Sequence, residues 1–126
     1  MVTKSQMSAL TASGDTTKTI IDTLQVPQGA KRIIGIWQYG HGAATLTSGE
    51  PVSGVVEYES SDINIVPLQL PLPTFDILTS GTAALNPFIF PVDIPVHGGE
   101  RISGYVTMDV AQTGGIKARF GFIYEF

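Results

Sequence analysis

The sequence predicts an all-β domain, a sandwich or barrel of about eight short strands. Three observations carry that reading. Two C-terminal runs, 101–110 and 116–126, alternate apolar and polar residues with a period of two. Fourteen glycines and eight prolines cut the chain into short apolar runs, a punctuation that suits strands and turns. No segment repeats apolar residues at the spacing of an amphipathic helix.

In the first C-terminal run Ile102, Gly104, Val106, Met108 and Val110 share a face. In the second, Ile116, Ala118, Phe120, Phe122, Tyr124 and Phe126 do so. Successive side chains of a strand point to opposite faces, so each run reads as a half-buried strand. Gln112-Thr113-Gly114-Gly115 lies between them, and Gly-Gly supplies the positive φ of a tight turn. The two runs are therefore expected to pair as a hairpin.

The upstream elements follow in order. Residues 1–16 are rich in Ser, Thr and Ala and form an N-terminal arm or an edge strand. At this length the remainder, 17–126, is a single domain. Residues 17–26 read as a strand through Ile20, Ile21, Leu24 and Val26, closed by the turn Pro27-Gln28-Gly29-Ala30. Residues 32–39 form the next strand, with Ile33, Ile34, Ile36, Trp37 and Tyr39, and Gly40 to Ala44 break it. Residues 54–59 place Val56 and Tyr58 on one face and Val55, Glu57 and Glu59 on the other. Pro67, Pro71, Pro73, Pro87, Pro91 and Pro95 then mark edge strands and a long loop, because proline cannot donate to a central ladder. Residues 88–96 are the last strand before the C-terminal pair.

The chain also echoes itself. Residues 29–35 (Gly-Ala-Lys-Arg-Ile-Ile-Gly) match residues 98–104 (Gly-Gly-Glu-Arg-Ile-Ser-Gly) at four of seven positions. If Ile102 and Gly104 point inward, the echo turns Ile33, Gly35, Trp37 and Tyr39 inward and leaves Ile34 and Ile36 outside.

Composition narrows the function. Charged residues are only 14 % of the chain, against roughly 25 % in an ordinary soluble domain. Its surface is therefore clothed in Ser, Thr, Gln and Gly, or hidden in an assembly. The net charge is −4, and of seven cations only Lys31 and Arg32 are adjacent, so direct binding to nucleic acid is not expected. No apolar run reaches the ~20 residues of a membrane helix, and residues 1–6 lack the apolar core of a signal peptide. The absence of cysteine excludes disulfides and thiolate metal sites.

Catalytic patterns are missing as well. His41 and His97 with Glu100 are a thin set of metal ligands, with no His-x-His pair and no third His, so no metal or other cofactor is expected. There is no Gly-x-Ser-x-Gly elbow. Glu57 and Glu59 share a strand face near Asp62, which reads as a solvated stripe before it reads as a glycosidase pair. Trp37, Tyr39, Tyr58 and Tyr105 are candidates for an aromatic sugar platform, although the echo assigns Trp37 and Tyr39 to the core.

The segment Val92-Asp93-Ile94-Pro95-Val96-His97-Gly98-Gly99-Glu100-Arg101-Ile102, followed by an alternating run that ends Phe120-Gly121-Phe122-Ile123-Tyr124-Glu125-Phe126, resembles the closing strands of viral single jelly-roll proteins. Residues 24–35, Leu-Gln-Val-Pro-Gln-Gly-Ala-Lys-Arg-Ile-Ile-Gly, carry the same resemblance. It implies an antiparallel β-sandwich, jelly-roll-like, in a coat, spike or decoration protein of a virion. Capsid jelly rolls of RNA viruses usually carry a basic N-terminal arm. Residues 1–16 hold only Lys4, which fits a DNA virus whose shell does not touch its genome through this protein.

The expected function is accordingly a non-enzymatic virion structural protein that acts by self-assembly. A carbohydrate- or ligand-binding β-sandwich module is the alternative, with a glycan as its ligand. The expected partners are copies of the same chain, in a trimer or pentamer by the viral analogy, and other virion proteins. Ile34 and Ile36, with Leu68, Leu70, Leu72 and Phe75 of the proline-rich segment, are the expected oligomer interface.

Overall fold

A computed structural model describes residues 2–8, 11–13, 16–42, 54–63, 68–72, 74–75, 89–109 and 116–126. These residues form β1 (Thr3–Met7), β2 (Thr11–Ser13), β3 (Thr19–Gln25), β4 (Arg32–Gly42), β5 (Gly54–Glu59), β6 (Leu68–Pro71), β7 (Thr74–Phe75), β8 (Ile89–Pro95), β9 (Arg101–Met108) and β10 (Ile116–Glu125). No described residue is helical. The larger sheet runs β1-β10-β4, with β2 beside β1 on β10 and with β8 and β7 sharing the far side of β4. The smaller sheet runs β3-β9-β5-β6. Pairing is antiparallel except for the two-residue β4–β7 contact.

Counting β1 with β2 and β7 with β8 as single lateral positions gives two four-position sheets. In chain order the larger reads 1-8-3-6 and the smaller 2-7-4-5. The chain thus changes sheet at nearly every step, the wiring of a jelly roll. Residues 2–8 are the edge strand of the larger sheet: Thr3 to Met7 pair with Glu125 to Gly121.

The expected C-terminal hairpin is not formed. β9 belongs to the smaller sheet and β10 to the larger; the Gly-Gly turn assigned to join them, at 112–115, lies outside the described residues. Alternation proves that each strand is half-buried but does not choose its neighbour. Here the two apolar faces meet across the sandwich. Ile102, Val106 and Met108 are buried from one side and Ala118, Phe120, Phe122 and Tyr124 from the other. The contact is closest at Gly104, where an added Cβ would sit 2.5 Å from Cε1 of Phe120. Gly104→Ala is expected to destabilise the domain by about 1–3 kcal/mol, the range for overpacking a close-packed core. Thermal melts monitored by circular dichroism check this.

Two similar turns do recur, but one residue out of register with the sequence echo, and the strands beyond them differ. Gly29 and Gly99 both have positive φ, 88° and 91°. Ala30 N donates to Pro27 O, and Glu100 N to His97 O, in the same way. Equivalent turn atoms thus lie 70 residues apart, one more than the offset of the sequence match. The turns abut: Gly99 N donates to Val26 O at 2.9 Å and Val26 N to Glu100 O at 2.8 Å.

Beyond the turn, β4 departs from β9. Ile33 opposes Tyr124, but Gly35 opposes Ile123, so Ile34 is an extra residue in β4. A one-residue bulge exchanges the faces of everything after it. Ile33 and Ile36 are therefore both core, at 0 % and 1 % exposure, with Gln38 buried behind them. Trp37 and Tyr39 are turned to the outer face. The expectation that Ile36 points outward and Trp37 inward is corrected by this bulge.

The core holds an aromatic ladder. Phe120 and Phe122 of β10 lie 5.3 Å apart by ring centroids, and Tyr58 of β5 meets them at 5.3 and 5.6 Å. Tyr124 continues the ladder 6.2 Å beyond Phe122. These tilted and edge-on contacts suit the quadrupoles of aromatic rings.

Candidate functional site

The two outer faces of the sandwich differ in chemistry, and the difference starts in the sequence. The bulge at Ile34 sends Trp37 and Tyr39 outward on β4. On β10 the same face shows Arg119, Gly121 and Ile123, and on β8 it shows Ile89, Pro91 and Asp93. Trp37 opposes Gly121 on one side and Ile89 on the other. A Cβ built on Gly121 would lie 2.2 Å from Cε2 and Cζ2 of Trp37, so the indole lies flat over that backbone. The rings of Trp37 and Tyr39 stack, 6.2 Å apart and 13° from parallel. Around Gly35, Ile89 and Ile123 approach to 2.9 and 3.2 Å of a built Cβ. Across β10, Met7 of the edge strand opposes Gly121.

Met7, Trp37 and Ile89 thus lie in one row across four strand positions, with Ile123 and Tyr39 alongside. Met7 is 55 % exposed and Ile89 50 %. Large apolar side chains gathered on one outer sheet face differ from the single exposed residues found on any monomer.

The outer face of the smaller sheet carries more polar and charged side chains, although Ile20, opposite Tyr105, is 48 % exposed there. Lys18, just before β3, reaches Glu57 Oε2 at 2.9 Å and also pairs with Glu59. Its ammonium stands 4.6 Å from the ring centroid of Tyr105. The hydrogen bond to Glu59, followed by that to Glu57, raises the Lys18 pKa. The Lys18 bond, with a second from Gln69, holds the Glu57 carboxyl below its ordinary range. Lys18 and Glu59 are solvent-exposed and Glu57 is half-buried at the surface, so the cluster orders the surface more than it stabilises the fold. Lys18 thus bridges the Glu57 and Glu59 carboxylates. Beside the cluster runs an open groove of about 570 Å3 lined by Thr23, Tyr58, Glu59, Ser60, Ser61, Arg101, Ser103 and Tyr105.

The four residues considered for one aromatic platform are dispersed. Tyr58 is in the core, Tyr105 faces out from the smaller sheet, and Trp37 with Tyr39 faces out from the larger. The two histidines are dispersed as well. His97 lies in the turn before β9, where its N–H donates to the Glu100 carboxylate. His41 lies in β4 nine residues after Arg32, the residue opposite Pro95. At a strand's rise that is roughly 30 Å away. Among the described residues no three His, Cys, Asp or Glu side chains gather as metal ligands.

Two of the residues expected at an oligomer interface are buried. Ile36 is core, and Leu72 is 5 % exposed beneath Gly54, whose carbonyl accepts its N–H. Leu68 and Leu70 are half-buried against that same core, and Ile34 is half-buried at the bulge. β6 therefore spends its leucines covering its own sandwich. Phe75 lies in β7, and its side chain is outside the described residues. Met7, Ile89 and Ile123 were missed because an edge strand, a proline-flanked isoleucine and an isoleucine among aromatics each look unremarkable alone. Only the register brings them together.

No protein-family model matches the chain, and no curated protein matches it significantly in sequence.

Proposed function

We propose that the chain is a non-enzymatic structural subunit of a virion, acting by self-assembly through the outer face of its larger sheet. The observation that carries this reading is the row Met7–Trp37–Ile89 with Tyr39 and Ile123 beside it. Met7 and Ile89, each about half exposed, forgo part of the roughly 1.5–3 kcal/mol that full burial of such a side chain brings. A like copy is the simplest cover, and closed symmetry its usual form. The low charge of the chain supports a surface built for contact. The placement in a virion rests on the sequence resemblance, to which the jelly-roll wiring of the strands adds support.

Light scattering behind size exclusion is the test. The expected result is a closed homo-oligomer, a trimer or pentamer on the viral analogy, visible as discrete particles by electron microscopy. Ile89→Asp places a charge on the exposed part of the row and is expected to weaken association by roughly tenfold or more. A 13.4 kDa monomer at every concentration would overturn the proposal.

A further inference from the structure

On the polar side of the sandwich, β9 presents Arg101, Ser103 and Tyr105 in a line, with Thr23 and Gln25 of β3 on one flank and Glu59 of β5 on the other. Ser60 and Ser61 continue that second flank. Thr23 Oγ1 and Ser103 Oγ are 2.8 Å apart and share a hydrogen bond, so the floor is a fixed pair of hydroxyls. Tyr105 is held by the Lys18 ammonium. A smaller recess lined by Thr23, Gln25 and Arg101 extends the groove at its Arg101 end.

The charges in this groove are unequally satisfied. Glu59 is paired with Lys18. Asp62 accepts the backbone N–H of Arg101 at 3.0 Å, and Ser60 Oγ donates to the Arg101 carbonyl. The backbone of Arg101 is thereby pinned from both sides, while its guanidinium enters no ion pair or hydrogen bond among the described residues. A planar fork of donors on a fixed backbone suits a carboxylate.

We propose that this groove binds an acidic saccharide, its carboxylate on the Arg101 guanidinium and its ring hydroxyls on Thr23, Ser103, Ser61 and Glu59. The lining decides the class. It offers hydroxyls, a carboxylate and a guanidinium with no ion pair among the described residues, with Tyr58 and Tyr105 also in the lining, which matches a polyol with one negative charge. A polyphosphate or nucleic acid needs several clustered cations, and Arg101 is the one cation in the lining. The volume falls in the range of small-ligand sites. The open, shallow form implies weak binding, in the millimolar range typical of few contacts, roughly 4 kcal/mol. The site lies on the face opposite the proposed assembly surface, so it does not depend on that reading and remains accessible if the reading is right.

Saturation-transfer difference NMR tests the proposal whatever the size of the particle, because it observes the ligand. The probes are 3′-sialyllactose, a glucuronate-terminated disaccharide, and lactose as the neutral control. The expected result is saturable transfer to both acidic sugars, much weaker transfer to lactose, and a loss of about tenfold in affinity with Arg101→Gln. Arg101 is exposed and its backbone bonds survive the change, so the fold is retained; circular dichroism verifies this. Thr23→Ala is expected to weaken the same binding without removing the preference for acid. Transfer to neither acidic sugar, equal transfer to lactose, or an Arg101→Gln protein that binds as before would each overturn it.

Discussion

Phe122→Ala is expected to cost about 3–5 kcal/mol of folding stability, the range for deleting a buried aromatic side chain. Phe122 is 1 % exposed and sits at the centre of the ladder, touching Phe120, Tyr124 and Tyr58. Its neighbours on β10 are fixed by pairing to β1 and β4 on both sides, so the strand cannot slide to fill the void. Tyr58 cannot tip into it either, because its hydroxyl is tied to Gln38. A site that collapses poorly sits at the costly end of the range. Urea melts of the two proteins measure the difference. A loss under about 1 kcal/mol would mean that β10 turns its other face inward.

The facing of β10 was legible because alternation is a local property: Ala118, Phe120, Phe122 and Tyr124 repeat at period two, and all four are buried. The same held for Ile102, Val106 and Met108 on β9. What each strand pairs with was not legible. Two half-buried strands joined by Gly-Gly satisfy the pattern equally well side by side or face to face across a sandwich, and here they are face to face. The bulge at Ile34 was hidden for a related reason. An extra residue in a run of Ile-Ile-Gly-Ile leaves apolar residues on both sides of the break, so no polar residue signals the exchange of faces. The proposed assembly surface depends on that exchange, since without the bulge Trp37 and Tyr39 would face the core. On the polar face, Arg101 and Ser103 were visible as outward positions of β9. Their company, Thr23 and Glu59, comes from strands far apart in the chain, and only the register of the smaller sheet unites them.

Gln38 was the least legible residue and is the subject of the second large effect. Between Trp37 and Tyr39 it reads as the polar member of an alternating strand. Once the bulge has exchanged the faces, it is the residue that points inward, fully buried. Burial of an amide requires partners, and the fold supplies three. Nε2 donates to the carbonyls of Leu70 and Pro71 at 3.0 and 2.7 Å, and Oε1 accepts the Tyr58 hydroxyl at 2.6 Å. The amide thereby joins β4 of the larger sheet to β5 and β6 of the smaller. Gln38→Leu keeps the volume and removes every bond, stranding the Tyr58 hydroxyl and the β6 carbonyls. Each buried group left without a partner costs about 1–3 kcal/mol, so the expected loss is roughly 2–5 kcal/mol. Tyr58→Phe alone strands only the Oε1 acceptor and is expected to cost less. The pair identifies the mechanism. In the double variant the hydroxyl that Gln38→Leu orphans is gone, so the two losses should fall short of additivity by about 1 kcal/mol or more. Alkaline melts give an independent check. Burial raises the Tyr58 pKa well above that of a free tyrosine, so the folded protein keeps the proton where the unfolded chain gives it up. That contribution is complete below about pH 10, the ordinary tyrosine pKa, and fades as the pH climbs from there toward the folded value. Tyr124, raised by the same cause, behaves likewise, and Tyr58→Phe should retain the part of the alkaline loss that belongs to Tyr124. Additive losses in the double variant, together with an alkaline limb that Tyr58→Phe leaves unchanged, would show that Gln38 and Tyr58 do not meet inside the sandwich.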